Sequence, residues 1–389
     1  MPTMLIAGGG ILGTFHAMEA LERGFSVTQF EASAEPLSAT ARSPGALAFS
    51  RAAPGLELEL CVDAAARWRR LAGEAGAPVR ELGSLVAATD EREADQLEEL
   101  CRRSDAVQRG WSLTRRAGHE PRGSLEQDVA LGESVVATLH SDLDVVVETR
   151  KLLEHLRGRM QRTERYRFVG GVEIRDLGPG SFTDSTGRTH RGDLGLLCPG
   201  WRSDLAISML RQPSVLRSAR IQVLQTGRLR ATLHRPVSDV AALVHSGLGR
   251  ATGMASPPPD PRLGQTTVAL TCVQRRSRAL TIGETRDHDE PFGFEVSQRP
   301  LQVLLERARK LLGVDLPPVT HQWAGQVRQC TDGRLWLRED LDETMTLVGC
   351  ADQRGIALAP VIAAETLDWV TEGRDSGATH PGADGAGTG

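Results

Sequence analysis

Lysine is almost missing from this 389-residue chain: Lys151 and Lys310 are the only two, so 44 of the 46 basic residues are arginines. Both lysines sit in charged, helix-like surroundings, TRKLLEHL and RARKLLG. A Schiff-base mechanism needs a lysine that sheds its proton in an apolar pocket, so pyridoxal phosphate and lysine-imine chemistry are disfavoured. Tyrosine is scarcer still, with Tyr166 alone in a RYRF stretch, which leaves little scope for a phenol acid or base. The six cysteines (Cys61, Cys101, Cys198, Cys272, Cys330, Cys350) stand far apart with no CxxC pair. That pattern points to a reduced, cytoplasmic compartment. No spacing of His, Cys, Asp and Glu suits a metal cage, and no GxSxG elbow stands out. No apolar run reaches the roughly 18 residues of a membrane helix, and MLIAGGG is too short for a signal core. A formal charge of −4 offers no broad positive field, so neither a membrane span nor a nucleic-acid partner is expected.

What is present is an ordinary globular balance, 40% apolar and 25% charged, with length for two or three domains' worth of packing. The opening reads strand (MLIA), glycine turn (GGGILG), helix (TFHAMEALERG), strand (FSVTQFE), a βαβ unit. Within it lies Gly8-x-Gly10-x-x-Gly13. Gly8 permits the tight turn, Gly10 lets the backbone approach a pyrophosphate, and Gly13 lets the helix pack closely on the strand. The helix N-terminus then offers free N–H groups to phosphates. Glu31 closes the second strand, eighteen residues beyond Gly13, where a carboxylate accepts hydrogen bonds from ribose hydroxyls. The fingerprint does not choose between NAD and FAD. A nicotinamide dehydrogenase usually completes its nucleotide fold contiguously. This chain instead inserts helices and mixed strands, then returns to apolar strands near Leu194 and Leu347, which suits a long FAD in an interrupted domain.

The remaining pattern fills in the frame. An irregular, small-residue stretch runs from Ala32 to Pro54, and helical periodicity follows at 56–71. VRELGSLVAAT reads as a strand pair, and DEREADQLEELC as a solvated helix opened by Asp90. YRFVGGVEI and LGLLCPG read as strands, with a hairpin at DSTGR between them. ARIQVLQTG, DVAALVHS and TTVALTCVQ alternate as an antiparallel sheet does, and RPLQVLLERARKLLG follows as a helix. RGIALAPVIAAETLDWV reads as one glycine-initiated apolar helix, and residues 373–389 as a disordered tail.

At these motifs the chain resembles the D-amino-acid oxidase superfamily of FAD-dependent oxidoreductases, in particular its glycine oxidase and sarcosine oxidase branches. The resemblance runs to about Val370. It rests on GGGILG with Glu31, ATARSPGAL, FVGGVEI, LLCPG, TIGETRD, WAGQVRQCTDG and GIALAPVIAAETL in matching order. TIGETRDHDEPFGFE and RIQVLQTGRL are most similar to a subgroup proposed to act in phosphonate breakdown. The resemblance implies that Gly8, Gly10, Gly13 and Glu31 hold ADP, and that Thr40, Arg42, Ser43 and Gly45 line the phosphates and the isoalloxazine. It also implies that Val172 meets the adenine through its backbone and that Gly200 closes the pyrophosphate side. Gly349 through Gln353, Arg354, Gly355 and Ile356 run under the ring, and the last helix begins near Gly355.

Two departures bear on the substrate. Glycine-oxidase-like members carry a carboxylate-gripping arginine two residues after the glycine of WAG, where this chain has Val327; the neighbouring Arg328 should face the other way on a strand. The family's glycine-histidine-glycine run is replaced by Cys350-Ala351-Asp352-Gln353-Arg354. Cys330 is not at a flavin-linking position and no histidine stands beside Thr40, so a non-covalent flavin is expected. Arg220 heads the candidates for binding an anionic substrate group. His245, Arg286 and His288 are candidates for a base or an anion contact.

The reading is an α/β protein with an α+β second domain. A Rossmann-like FAD-binding domain (1–85, 144–206, 325–372) is interleaved with a mixed antiparallel-sheet substrate domain (86–143, 207–324). The expected reaction is oxidation of the C–N bond of a small anionic amine, with oxygen or another acceptor taking the electrons. Oxidation of a hydroxyacid or alcohol on the same fold is the first alternative, and a non-catalytic FAD-binding accessory protein the second.

Overall fold

The opening residues form the expected unit: strand Thr3–Ala7, helix Ile11–Glu22 and strand Ser26–Glu31, the two strands paired in parallel. The computed structural model describes residues 1–34, 38–116, 131–200, 208, 210, 215–288, 292, 295–352 and 354–372. Gln353 and the whole 373–389 tail lie outside them. Contacts divide the chain into two units: Met1–Arg42, Thr149–Ala219 and Gln326–Gly389 in one, Ser43–Glu148 and Arg220–Gly325 in the other.

In the first unit, a six-stranded sheet has the order Leu337–Asp340, Met345–Gly349, Leu194–Leu197, Thr3–Ala7, Ser26–Glu31, Tyr166–Gly170. All pairings are parallel except at the Leu337–Asp340 edge. Both faces of the central strands are covered, which is why they read as unbroken apolar runs rather than as alternation. Met4 and Ile6 pack on one side with Ala17, Leu21, Met160 and Leu367, residues from three helices. Leu5 packs on the other with Phe182 and Leu347, where an antiparallel sheet of Ile174–Gly178, Ser181–Asp184 and Thr189–Arg191 adds a layer.

The second unit holds most of a mixed eight-stranded sheet. Its order is Val319–Cys330, Leu216–Arg228, Ala279–Asp287, Thr267–Gln274, Val237–Asp239, Ser84–Ala88, Ala137–Ser141, Trp111–Arg115. Helix Gln298–Leu311 packs on the face carrying Leu85 and Ala87. Helix Glu91–Cys101 packs on the face carrying Val86 and Ala88. The Asp90 carboxylate caps the latter helix, accepting from the Glu93 N–H at 2.8 Å.

Four features differ from the sequence reading. DVAALVHS, read as a sheet strand, leaves the sheet at Asp239 and turns into the short helix Ala241–Val244, with the Ala242 N–H donating to Asp239 Oδ1 at 3.1 Å. The first junction falls at 42/43 rather than 85/86, because Ser84–Ala88 pairs with Val237–Asp239 and Ala137–Ser141 in the second unit's sheet. Strands Val79–Arg80 and Ser84–Ala88 are not partners. The former joins Val145–Val147 in a separate three-stranded sheet, since Gly83 (φ +64°) turns the chain between them. The final helix is interrupted into Arg354–Ala357 and Ala359–Glu372. Pro360 has no N–H for the carbonyl of Ile356, and its ring would collide with that carbonyl in a continuous helix.

Candidate functional site

The first unit's site is the turn after its first strand. Gly8 has φ +123°, and a Cβ there would lie 2.2 Å from the Cys198 carbonyl oxygen. At Gly13 a Cβ would lie 2.0 Å from the Gly8 carbonyl oxygen. Glycine is therefore required at both positions by backbone that closes on the turn, while at Gly10 the nearest atoms are 3.7 and 4.0 Å away, Thr40 Oγ1 and Ser38 Cβ. The turn is closed behind and open in front. Behind it, Gln29 Nε2 donates to the Gly8 carbonyl at 2.8 Å, and the Tyr166 hydroxyl donates to Gln29 Oε1 at 2.6 Å. The single tyrosine thus braces the turn, and burial lifts its pKa above the ordinary range.

Glu31 stands at the rim of the same turn. Its Oε2 accepts from the Gly9 N–H at 2.8 Å and its Oε1 from the Ser33 N–H at 2.8 Å, so its carboxylate is fixed at the edge of the turn. Thr40 Oγ1 accepts from the Ile11 N–H at 3.2 Å, satisfying one first-turn donor and keeping its own hydroxyl hydrogen to offer. Arg42 ends the short helix Ala39–Arg42. The Val172 N–H donates to the Glu31 carbonyl at 3.0 Å, so a backbone contact to an adenine would run through its carbonyl. Gly200 has φ +63° and open space where a Cβ would stand. A glycine-required cradle, a fixed rim carboxylate and a hydroxyl donor fit the ADP half of a dinucleotide.

Farther along the first unit, Gly349 ends a buried strand, and Cys350 and Asp352 hold left-handed φ of 57° and 49°. The Asp352 N–H donates to the Arg328 carbonyl at 3.3 Å, the Gly355 N–H to the Asp352 carbonyl at 3.3 Å, and Ala351 bridges Gln329. Val327 and Arg328 are both half-buried. Burial raises the Cys350 thiol to about 11 against the opposing charges of Arg328 and Arg334. Arg354, Gly355 and Ile356 lie in the four-residue helix, too short for the dipole expected of a helix starting at Gly355.

In the second unit, Gly45 has φ +79°, with the Val147 carbonyl 2.2 Å from where a Cβ would be, and its N–H donates to Ser43 Oγ at 3.1 Å. Arg275 staples this loop, donating to the carbonyls of Ser43 and Val147 and to Thr281 Oγ1. Arg220 is engaged within the fold. It meets Asp287 Oδ2 at 2.6 Å, Ser297 Oγ at 3.0 Å and the Glu295 carbonyl at 3.3 Å.

A second charged group gathers around His245. Burial, then the charges of Arg307, Arg250 and Arg286, lower its pKa, so the ring is neutral near pH 7. Glu284 occupies a bulge in strand Ala279–Asp287, where the pairing slips between Gln222 and Val223, and it lies 4.0 Å from Arg286. Arg51 donates to Ser238 Oγ at 2.7 Å and keeps a buried Nε without a partner. Its pKa is lowered by burial against the charges of Asp144, Asp239 and Glu284. Asp239 rises to about 6 by burial, although Arg307 and two backbone N–H groups bind it. Sequence reasoning missed Arg51 and Glu284. The signal for Arg51 was a lone cation in the uncharged run GALAFSRAAPG. His288 follows the end of strand Ala279–Asp287 and is half-buried. Among the described residues, no cluster of three or more His, Cys, Asp or Glu could hold a metal, and no helix is long and apolar enough to cross a membrane.

The family described as DAO, FAD dependent oxidoreductase, matches residues 3–369. No curated protein matches the sequence. Among solved structures, the chain is similar to glycine oxidase from Bacillus cereus ATCC 14579 (16% identity, 95% of each chain covered, TM-score 0.73). It is also similar to L-proline dehydrogenase from P. horikoshii (13% identity, 95% of this chain and 93% of that one, TM-score 0.76). A third is L-alpha-glycerophosphate oxidase from Mycoplasma pneumoniae, solved with FAD bound (15% identity, 95% of each, TM-score 0.71).

Proposed function

Because the chain belongs to the DAO family of FAD-dependent oxidoreductases and takes FAD as its cofactor, we propose that it oxidises the C–N bond of a small anionic amine. The observation that carries this reading is a charged group in the second unit: half-buried Arg51, Glu284 and Arg286, with His245 held below its ordinary pKa by burial and by charges that include Arg286. FAD, when bound, supplies the hydride acceptor, its N5. The residues do the rest. Arg51 and Arg286 bind the substrate's carboxylate or phosphonate, Arg51 with the N–H that the fold leaves unbonded. Glu284 faces the substrate's ammonium, and His245 takes its proton, since only the neutral amine has the lone pair that forms a C=N bond as the carbon loses hydride. Burial keeps water from the reacting carbon until the imine leaves and hydrolyses to a carbonyl and an amine. The ADP half lies on Gly8, Gly10, Gly13 and Glu31, held without a covalent link.

Two of the three similar structures are named for amine substrates, glycine and L-proline, and the third for a phosphorylated alcohol. The last supports a second reading, since a neutral His245 would equally take an alcohol proton. Anaerobic mixing with matched amines and alcohols, each with and without an anionic group, separates them. Bleaching of the flavin band by anionic amines alone supports the proposal. Bleaching by anionic alcohols alone replaces it with the second reading, and no bleaching by any member overturns both.

A further inference from the structure

One cation at the glycine turn has no place in the cofactor contacts described above. Arg157 lies on helix Thr149–Met160, and its Nη2 donates to the Gly9 carbonyl. Its Cζ sits 4.2 Å from the centroid of the Phe168 ring, and its Nε is buried without a hydrogen-bond partner. Its direct partners are a neutral carbonyl and an aromatic face, with the Glu31 and Glu154 carboxylates acting on it only at longer range. Burial lowers its pKa, against the charges of Glu31 and Glu154.

The geometry points to a role for Arg157 as a positioning residue for the cofactor's diphosphate, acting through the Gly9–Gly10 peptide. Gly9 is held at both polar ends, its N–H by Glu31 Oε2 at 2.8 Å and its carbonyl by Arg157. In a trans peptide, the carbonyl and the next N–H point in opposite directions. With Arg157 on the Gly9 carbonyl, the Gly10 N–H faces away from the guanidinium. Gly10 is the cap residue of helix Ile11–Glu22, with extended backbone (φ −75°, ψ −170°), so that N–H lies outside the helix ladder and is available to an anion. A cation on the carbonyl polarises the peptide and strengthens this donor. It also offsets Glu31, whose carboxylate at the same residue would otherwise repel a diphosphate. The residue is half-buried, so its field is screened less than that of a fully exposed arginine. The inference rests on FAD as the cofactor and is independent of the substrate.

The test is titration calorimetry on the full chain stripped of FAD, as wild type, Arg157→Gln and Arg157→Lys, with FAD, ADP and adenosine. Removing the charge is expected to weaken FAD and ADP binding about 10- to 100-fold, the scale of a charge-assisted contact. Adenosine, which has no phosphate, should bind Arg157→Gln as it binds wild type, and Arg157→Lys, which keeps the charge but loses the planar stack on Phe168, should stay within about tenfold of wild type for ADP. A Gln variant that binds ADP as wild type does, or that loses adenosine in the same proportion, would overturn the proposal; the latter outcome marks a collapsed turn. If the Gln chain does not fold, the Lys chain decides alone, and an ADP affinity more than about tenfold below wild type sinks the idea.

Discussion

At the scale of single residues, the most consequential side chain outside the candidate sites is His16. It is fully buried, Nδ1 donates to the Leu12 carbonyl at 2.7 Å, and Nε2 has no partner. Burial, helped by the charge of Arg338 and opposed by the Leu12 bond, lowers its pKa to about 4. Between pH 6.5 and 4 the unfolded chain binds a proton that the folded chain refuses, so stability present above pH 6.5 is lost as the pH falls. The loss should reach about 3 kcal/mol near pH 4. Urea unfolding at pH 7 and pH 4.5 should show a smaller pH effect in His16→Leu than in wild type. Equal effects in the two proteins would mean that the histidine is charged when folded.

Among the elements, the Glu91–Cys101 helix makes the plainest test of local sequence logic. Asp90 accepts from the Glu93 N–H, and Glu93 Oε2 reaches back to the Thr89 N–H at 2.7 Å. Asp90→Ala should cost about 1 kcal/mol and Asp90→Asn much less; equal losses in thermal unfolding would remove the cap from the account. Such ends were legible because a cap is a local agreement between neighbours. The glycine turn was legible for a related reason: Gly8, Gly10, Gly13 and Glu31 keep fixed separations along one βαβ unit. Elements were misread where a distant partner decides. Nothing within VRELGSLVAAT says that its halves join different sheets. Pro360, by contrast, was visible, and its effect on the preceding turn was there to be argued. Arg157 and Glu284 were out of reach for the first reason, since their meaning lies in what faces them; Arg51 offered only its isolation in an uncharged run.

For the molecule as a whole, the alternation of strand and helix was enough to anticipate two interleaved units, but not the seam at 42/43. The seam depends on pairing across long stretches of chain. Strand Thr3–Ala7 lies between Ser26–Glu31 and Leu194–Leu197, and Ser26–Glu31 lies beside Tyr166–Gly170. A fragment of residues 1–148 therefore contains the whole fingerprint yet lacks four of the six strands of its sheet, including both outer neighbours of the fingerprint pair. It should bind neither FAD nor ADP when titrated, and tight binding would show that the βαβ unit suffices alone.

The backing of the glycine turn has a further consequence, in time rather than in space. The Thr3 N–H pairs with an Asp193 carboxylate oxygen 190 residues along the chain, and the Cys198 carbonyl closes on Gly8 from the same stretch. At ribosomal speeds of about 5–20 residues per second, the first strand waits roughly 10–40 s for that neighbour. Through that interval an apolar strand stands on the growing chain with one edge unpaired, and cofactor capture belongs to the later part of synthesis.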